Sequence, residues 1–372
     1  MSTRRQVLSS ALAGAAAAAL GSRLSAAPSA VDERPLPKNE PSRRYRPPPK
    51  FGLGGVAIGN AFRPTTNAAS EGAMQAAWDG GLRYFDTSPW YGLGLSERRF
   101  GLFFQGRRRD DFVVSTKIVR ILKPDESFHK PLMWKDYPPF RYEYDYSASG
   151  ARRSIEESLQ RMGLSRLDIV FIHDLSPDNG DMGPEWTSHF ETAMKGAAKE
   201  LTKMRDEGLI KAWGFGVNTV EPCMRALNES DPDVFLSATQ YSLIHHEDDL
   251  HKLFPACEER GVSIVVGAPL NSGFLAGVDR YNYSDKIPPK FVAKRDKLRE
   301  VCKRHGVDLR TAALQFCAAP KVVSAVIPGA RTAEQASENV ASMKVRIPDD
   351  FWAELKSEQL IAADAPTPAA AS

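Results

Sequence analysis

Eight short apolar runs repeat along this chain from about residue 51, each followed by a polar turn and then by an amphipathic segment. The runs are rich in β-branched and aromatic residues, as is typical of strands that are buried on both faces of a sheet. Eight strands alternating with helices predict a parallel sheet that closes on itself as a single-domain (β/α)8 barrel. The predicted strands span residues 51–58, 82–86, 112–117, 167–173, 210–217, 234–240, 262–266 and 322–327.

The segments between the runs have helical periodicity. Residues 151–162 place Ile155, Leu159 and Met162 on one face and their charged residues on the other, which is the pattern of a helix packed against a core. A doubly wound open sheet is the competing architecture, and it would carry Gly-x-Gly-x-x-Gly between its first strand and first helix. The glycines at 52, 54 and 55 lie inside the first apolar run and open no helix, so the pattern favours the barrel.

The N-terminus is typical of an export signal. Arg4 and Arg5 precede an uncharged run over residues 9–21, and small residues follow at 25–27. This run is shorter than the ~20 apolar residues that a membrane-spanning helix needs, so we expect no stable membrane insertion. Residues 1–30 therefore predict a twin-arginine signal peptide, the twin-arginine export machinery as a partner, and a periplasmic location. The alternative is an Ala-rich tail on a cytoplasmic protein.

Composition sets the remaining boundaries. Six prolines among charges predict a linker over residues 31–50, a barrel over 51–360, and a disordered Ala/Pro tail over 361–372. Of the 49 basic and 46 acidic residues, three arginines lie in the first thirty positions, which leaves 46 of each sign. This balance, without a basic stripe, argues against a nucleic-acid partner. The four cysteines lack metal-ligand spacing, so we expect buried thiols and no metal.

Four polar residues lie at or just after the ends of predicted strands. Asp86, Lys117 and His173 each close a strand, and Tyr91 follows Asp86 in the next loop. The carboxyl ends of barrel strands meet at one mouth, where catalytic residues of this fold lie. We therefore expect these four side chains to form a catalytic site.

The four residue types together suit proton exchange with an alcohol or carbonyl oxygen. A phenol has a pKa near ~10, and a neighbouring ammonium group is expected to lower it. An aspartate would hold the lysine in place, and a histidine would donate to the substrate oxygen. No side chain can carry a hydride, so the interpretation requires an organic cofactor.

The sequence resembles the aldo-keto reductase family over nearly all of residues 51–350. The resemblance is carried by FDTSPWYG (85–92), VVSTKI (113–118) and SIEESLQRMGLSRLDIVFIHD (154–174), followed by GFGVNT, ATQYSL, GAPLNSGFL and VIPGARTAEQASEN. It implies Tyr91 as the general acid/base, tuned by Lys117, with Asp86 pairing to the lysine and His173 orienting the substrate oxygen. It further implies a nicotinamide cofactor held through its carboxamide by Asn218 and Gln240, through its pyrophosphate by the backbone of Leu270, Ser272 and Gly273, and at its adenosine end by Arg331, Glu338 and Asn339.

Two departures from the family pattern bear on the cofactor. The aromatic residue that usually stacks on the nicotinamide is missing near Gly267. The Lys-Ser pair and the later arginine of many NADP-dependent members are replaced by Gly329, Ala330 and Gln335. Loss of positive charge weakens the case for a 2′-phosphate, although Arg331 could replace it. The sequence therefore favours NAD, or the use of both NAD and NADP.

Within the family, the segments GVNT, PLNSG and YDYSASGARRSIEESL are most similar to aldose 1-dehydrogenases that act on fucose-like and galactose-like sugars, a branch with a relative that oxidises pyridoxal. The resemblance implies oxidation of a small sugar at C1 to a lactone. Two alternatives stay open: an NADPH-dependent reductase of aldehydes or ketones, and a non-catalytic barrel that senses a cofactor or binds a partner. The presence of Tyr91 argues against the second.

Overall fold

A computed structural model describes residues 34–368 and contains ten strands. Eight of them are parallel and form one sheet, and the other two form a separate antiparallel hairpin, β4–β5. The strands are β1 (Leu53–Gly54), β2 (Tyr84–Asp86), β3 (Val113–Ile118), β4 (Arg120–Pro124), β5 (Phe140–Tyr144), β6 (Ile169–His173), β7 (Ala212–Val217), β8 (Val234–Ala238), β9 (Ser263–Gly267) and β10 (Val323–Ile327).

The sheet closes into the predicted (β/α)8 barrel. Its strand order is β1-β2-β3-β6-β7-β8-β9-β10, and parallel bridges from Phe51 to Val326 and from Gly54 to Gly329 join the last strand to the first. All eight predicted strands are present. The first is much shorter than predicted because the chain turns away at Gly55, where an added Cβ would lie 2.6 Å from the backbone oxygen of Asp86.

Helices cover the outside of the barrel. Helix α3 begins at the Ser147 hydroxyl cap, ends at Gly163 in the left-handed conformation, and contains the predicted amphipathic segment. The helices are α1 (Asn67–Asp79), α2 (Leu95–Phe104), α3 (Ala148–Met162), α4 (Trp186–Lys195), α5 (Ala197–Asp206), α6 (Glu221–Glu229), α7 (Phe254–Arg260), α8 (Pro289–His305), α9 (Leu309–Ala318), α10 (Ala333–Lys344) and α11 (Asp349–Ser357).

Apolar side chains form two layers because successive residues of a strand point to opposite faces. Tyr84 and Phe171 point into the barrel, where they pack with residues of the other strands. Their neighbours Phe85 and Ile172 point outward and pack against the helices. The barrel interior is therefore a filled core, and open space for ligands lies at its mouth.

Residues 34–50, here named the N-terminal strap, lie across the amino end of the barrel. Tyr45 packs against the interior core, and the Asn39 amide donates to the backbone oxygen of Ser324 at 2.6 Å. The segment predicted as a linker thus makes specific contacts with the barrel from residue 34 onward. The predicted signal segment, residues 1–30, lies outside the described residues. Within residues 34–368, no helix is long and apolar enough to cross a membrane.

The described part of the predicted C-terminal tail also packs on the barrel. Ile361 and Ala365 are buried in the core, and the Ala362 amide donates to Nε2 of His246 at 3.1 Å. The prediction of disorder from residue 361 differs from this arrangement. Asp364 of the same segment also pairs with His251 at 3.1 Å. Buried side chains and these polar contacts hold a segment whose composition alone suggests a solvated tail.

The long loop between β3 and α3, residues 119–147, contains the β4–β5 hairpin. The segment between its strands returns to the loop after β1, where the Phe62 amide donates to the Met133 oxygen at 2.7 Å and Ala61 bridges to Trp134. The hairpin is therefore fixed to the opposite wall and forms one side of the mouth.

Candidate active site

Asp86 and Lys117 form a buried ion pair at the carboxyl ends of β2 and β3. The Lys117 Nζ lies 2.7 Å from Oδ2 of Asp86, and it also donates to the backbone oxygen of Thr87 at 2.8 Å. The Ser115 hydroxyl donates to the other carboxylate oxygen at 2.6 Å. Since adjacent parallel strands place Asp86 opposite Ser115, the strand register itself positions the carboxylate between its two donors.

Tyr91 and His173 complete the group that the sequence predicted. The Lys117 Nζ lies 4.5 Å from the centroid of the Tyr91 ring, and the centroids of the Tyr91 and His173 rings are 5.8 Å apart. All four side chains are buried. The structure thus brings the four predicted residues together at one mouth.

Burial sets the protonation of this group. Burial raises the pKa of Tyr91 well above its ordinary value, and the Asp86 carboxylate raises it further. Burial lowers the pKa of Lys117, an effect opposed by Asp86. In the protein alone the net shift in the pKa of Tyr91 is therefore opposite to the lowering expected from Lys117. The lysine charge is already compensated by Asp86, so the phenol experiences mainly the loss of water.

His173 has polar neighbours that the sequence reasoning missed. Its Nδ1 lies 3.1 Å from the Ser88 hydroxyl and 3.3 Å from Nη1 of Arg120. Its Nε2 lies 3.4 Å from Oδ1 of Asp174, and Arg120 in turn pairs with Asp174 at 3.0 Å. Burial lowers the pKa of His173 well below its ordinary value, with Arg120 and Lys117 adding to the effect.

Two cavities of about 370 Å³ each open at the barrel mouth and meet at Tyr91. The first, here named the substrate cavity, contains His173 and Arg120 and lies under the β4–β5 hairpin. The second, here named the cofactor cavity, runs along the loops after β9 and β10. Both are lined by Val56, Tyr91, Leu236, Ala238 and Tyr283.

Most of the predicted cofactor residues line the cofactor cavity: Leu270, Ser272, Gly273, Arg331 and Asn339. Glu338 lies just outside it and accepts a hydrogen bond from Arg310, which does line it. The two predicted carboxamide ligands lie elsewhere. Asn218 lines the substrate cavity and donates to Asp178 at 3.0 Å, and the Gln240 amide donates to the Thr239 hydroxyl at 3.3 Å.

The cofactor cavity has the chemistry that a dinucleotide requires. Ser272 and Gly273 line the cavity in left-handed conformations, with φ angles of 60° and 96°. The guanidinium groups of Arg63 and Arg280 line the same cavity and supply positive charge for phosphates. The residues present therefore fit a nicotinamide dinucleotide.

Tyr283 is a further residue that sequence reasoning missed. It belongs to the loop between β9 and α8, lines both cavities, and is held by a hydrogen bond from its amide to the Ser272 hydroxyl at 3.1 Å. Its ring lies at the junction where the family's usual stacking residue, expected near Gly267, is missing. Only the tertiary structure reveals this, because sixteen positions separate the two residues.

The substrate cavity has one aromatic wall and one acidic wall. Trp90, Trp134 and Tyr142 form the first. Asp174, Asp178 and Asp181 belong to the second, with Lys130 at the rim paired to Asp181 at 2.7 Å. Aromatic faces pack against C–H groups, and carboxylates accept hydrogen bonds from hydroxyl groups. The cavity therefore suits a small molecule that has a C–H face and several hydroxyl groups. Within residues 34–368, no group of His, Cys, Asp and Glu could hold a metal ion.

Comparison with known proteins assigns this architecture. The model of the Aldo/keto reductase family matches residues 50–359. The chain belongs to the aldo/keto reductase family. A D-threo-aldose 1-dehydrogenase of Pseudomonas sp is 35% identical over 336 residues, covering 86% of this chain and 95% of the relative. A pyridoxal 4-dehydrogenase of Microbacterium luteolum is 33% identical, covering 84% and 94%.

Solved structures agree on the fold of this aldo-keto reductase. A holo form of aldo-keto reductase AKR11C1 from Bacillus halodurans has a TM-score of 0.63 at 22% identity, covering 85% of this chain and 93% of that one. The glycerol dehydrogenase AKR11B4 from Gluconobacter oxydans has a TM-score of 0.64 at 19% identity, covering 92% and 99%. Membership of the family and the two dehydrogenase relatives make the protein an NAD(P)-dependent oxidoreductase with a small-molecule carbonyl substrate, and a non-catalytic role is not favoured.

Proposed function

We propose that this aldo-keto reductase oxidises an aldose at C1 and releases the lactone. The observation that carries the proposal is the meeting of two cavities at Tyr91, one fitting a nicotinamide dinucleotide and the other a polyhydroxylated ring. The similarity to a D-threo-aldose 1-dehydrogenase and, at 26% identity, to an L-galactose dehydrogenase of Arabidopsis thaliana supports the same substrate class.

The reaction removes two electrons and two hydrogens from the sugar. The cyclic hemiacetal loses a hydride from C1 and a proton from its C1 hydroxyl, which leaves a C1 carbonyl within the ring. The bound cofactor supplies the hydride acceptor. Tyr91 receives the hydroxyl proton, and His173 donates a hydrogen bond to the same oxygen. The acidic wall accepts hydrogen bonds from the remaining hydroxyls, while Trp90 and Trp134 pack on the C–H face.

A second candidate is the reverse direction, reduction of an aldehyde or ketone. The raised pKa of Tyr91 favours it, because a phenol that keeps its proton is ready to donate one. Both directions use the same four residues. They differ in the protonation state of Tyr91 that must be present before the chemical step.

For the cofactor, the proposal is NAD, or both NAD and NADP. The Arg331 guanidinium donates to the backbone oxygens of Ala61 and Arg63, and Arg310 is paired with Glu338. These two arginines are therefore engaged in holding neighbouring segments. A 2′-phosphate would have to compete for donors that already have acceptors, whereas NAD makes no such demand.

The test is a matrix of substrates and cofactors with the purified protein. Fucose and galactose of both configurations, simple aldehydes and ketones are assayed with oxidised and with reduced NAD and NADP, and the lactone is identified by mass spectrometry. Sugar-dependent cofactor reduction with lactone formation is the expected result. Oxidation of the reduced cofactor by aldehydes, without any sugar activity, would assign the second candidate instead.

For location, the proposal is export by the twin-arginine route, supported by Arg4, Arg5 and the apolar run after them. This pathway moves folded proteins, so a cofactor can be bound before export. Replacing both arginines by lysine should retain the protein in the cytoplasm, measured by fractionation. An unchanged location of the Lys-Lys variant would contradict the export proposal and would not affect the proposed enzymatic activity.

A further inference from the structure

We propose that Arg120 is a positioning residue that holds His173 as a neutral imidazole with its proton on Nε2, facing the substrate. This inference rests on the proposed function for its catalytic consequence, since it concerns how His173 meets the substrate oxygen. Its structural part, the state of the imidazole ring, can be measured independently of any turnover.

Arg120 occupies a site that keeps its charge out of water. It opens strand β4, is 4% exposed, and its guanidinium lies 4.6 Å from the ring centroid of Trp90 and 5.1 Å from that of Tyr144. Such contacts stabilise a cation that has lost solvent. Its Nε has no hydrogen-bond partner within the described residues, so the side chain depends on Asp174 and His173 for its polar contacts.

The contact between Arg120 and His173 decides the tautomer. A guanidinium group has only donors and stays protonated in proteins, so Nη1 at 3.3 Å from Nδ1 must donate. Nδ1 then carries a lone pair, and the single proton of the neutral ring lies on Nε2. The Ser88 hydroxyl also lies beside Nδ1 and accepts a hydrogen bond from the Trp90 amide at 3.0 Å. Its own proton can rotate toward or away from Nδ1, so the hydroxyl is compatible with either tautomer.

The charges that face His173 keep the ring neutral. Arg120 from the hairpin and Lys117 from β3 both disfavour a second proton. Asp174, next in the chain, pairs with Arg120, and its other carboxylate oxygen lies 3.4 Å from Nε2 of His173, where it can accept the Nε2 proton until substrate binds. Tyr91 faces the ring as a neutral phenol. Burial also lowers the pKa of His173, in the same direction as the two cations. Near neutral pH the imidazole is therefore a hydrogen-bond donor through Nε2 and carries no charge.

The catalytic consequence follows from the direction of that donor. With Arg120 present, the imidazole can donate a hydrogen bond to a substrate oxygen. This hydrogen bond strengthens as negative charge builds on that oxygen during oxidation or reduction. Without the guanidinium, the proton can move to Nδ1 and bond the Ser88 hydroxyl. Nε2 would then be an acceptor and would repel the substrate oxygen.

The experiment compares wild type, Arg120→Gln and Arg120→Lys, with Arg141→Gln as a control on the exposed side of the same hairpin. Imidazole ¹⁵N NMR, assigned through a His173→Gln variant, reports the tautomer and charge. In wild type at pH 7 we expect a neutral ring protonated on Nε2. In Arg120→Gln we expect a gain of the Nδ1–H or the charged form, partial restoration in Arg120→Lys, and no change in Arg141→Gln.

Kinetics give the second readout. Arg120→Gln should lower kcat about 10- to 100-fold with a smaller change in KM, and the acidic limb of its pH profile should move to higher pH. The sign follows because removing a cation raises the pKa of His173. A wild-type ring that is charged at pH 7 or protonated on Nδ1 would overturn the proposal even if no variant folds. An inactive wild type with the expected ring state would refute the proposed function alone.

Discussion

The two ends of the barrel carry buried ion pairs of similar geometry in different surroundings. At the amino end, Asp168 pairs with Arg109 at 2.5 Å and with Lys211 at 2.8 Å, and neither cavity borders it. At the mouth, Asp86 pairs with Lys117 at 2.7 Å, and both residues border the cavities that meet at Tyr91. A buried ion pair alone therefore does not mark an active site. An active site is marked by an ion pair that borders a ligand cavity and lies beside a titratable group.

The largest expected effect compares these two pairs directly. Lys117→Met leaves the buried Asp86 carboxylate without its ion-pair partner and should cost about 3–5 kcal/mol of stability, whereas Arg109→Met should cost less because Asp168 keeps its pair with Lys211. Only Lys117→Met should also reduce kcat, by about 10²- to 10⁴-fold, because only this lysine lies beside Tyr91. Denaturant titration gives the stabilities, and turnover per folded molecule gives the activities. Equal kcat losses in both variants would break the comparison.

Asp249, in the helical layer, provides a third case for the comparison. Among the described residues its carboxyl group has no ion-pair partner, and it borders neither cavity. Asp249 starts a π-helical turn, Asp249–Leu253, and neither of its oxygens has a hydrogen-bond partner among the described residues. Burial raises its pKa from 3.8 to about 7, an effect opposed by the nearby Ser237 hydroxyl.

The raised pKa of Asp249 predicts how stability depends on pH. Between pH 4 and 7 the folded protein binds a proton that the unfolded chain has lost, so this group makes stability fall as pH rises through that window. The loss is of the order of 4 kcal/mol at about 1.4 kcal/mol for each pH unit. Asp249→Asn should remove this slope. Urea titrations of both proteins at pH 5 and pH 8 measure it, and parallel pH dependence would contradict the assignment.

The neutral phenol at the mouth predicts opposite pH dependences for the two reaction directions. Sugar oxidation needs Tyr91 to accept a proton, so its rate should rise with pH through the alkaline range, by up to about tenfold per pH unit. Carbonyl reduction needs the protonated phenol, which the raised pKa preserves, so its rate should not rise. The check is kcat in both directions from pH 7 to 10. A rising reduction rate would contradict the assignment of Tyr91.

The smallest effect is expected at the amino end. Arg44 of the N-terminal strap pairs with Asp231 at 2.6 Å and lies 3.5 Å from Asp233. Arg44→Ala should cost about 1 kcal/mol, since the pair is partly exposed and Asp233 keeps its bond from Arg205. Thermal unfolding should show a shift of roughly one or two degrees with kcat unchanged. A loss of turnover would mean that the two ends are coupled.

The sequence predicted the parts of the fold that depend on local pattern. Eight apolar runs identified the eight strands, and residues at their ends identified Asp86, Lys117, Tyr91 and His173. The contacts between distant loops could not be predicted in this way. Arg120 and Tyr283 lie in long loops rich in aromatic residues, and their positions at the mouth depend on how the hairpin and the loop after β9 fold back.

The predictions from sequence were less accurate for pKa values and burial than for the positions of the site residues. Lys117 was expected to lower the pKa of Tyr91, but its partner Asp86 and the absence of water reverse the result. Likewise, the composition of residues 361–368 suggests a solvated tail, although Ile361 and Ala365 are buried. In both cases the outcome depends on what surrounds a residue in three dimensions, which no single segment encodes.

The central claim is that Tyr91 exchanges the substrate proton at the junction of the two cavities. Its most direct measurement is turnover and cofactor affinity of Tyr91→Phe beside wild type, with cofactor binding followed by calorimetry. We predict that kcat falls by about 10³-fold or more, while the dissociation constant of the cofactor changes less than about threefold, because the phosphate-binding end of the cofactor cavity is untouched. Retained turnover in a variant that binds cofactor normally would contradict the account.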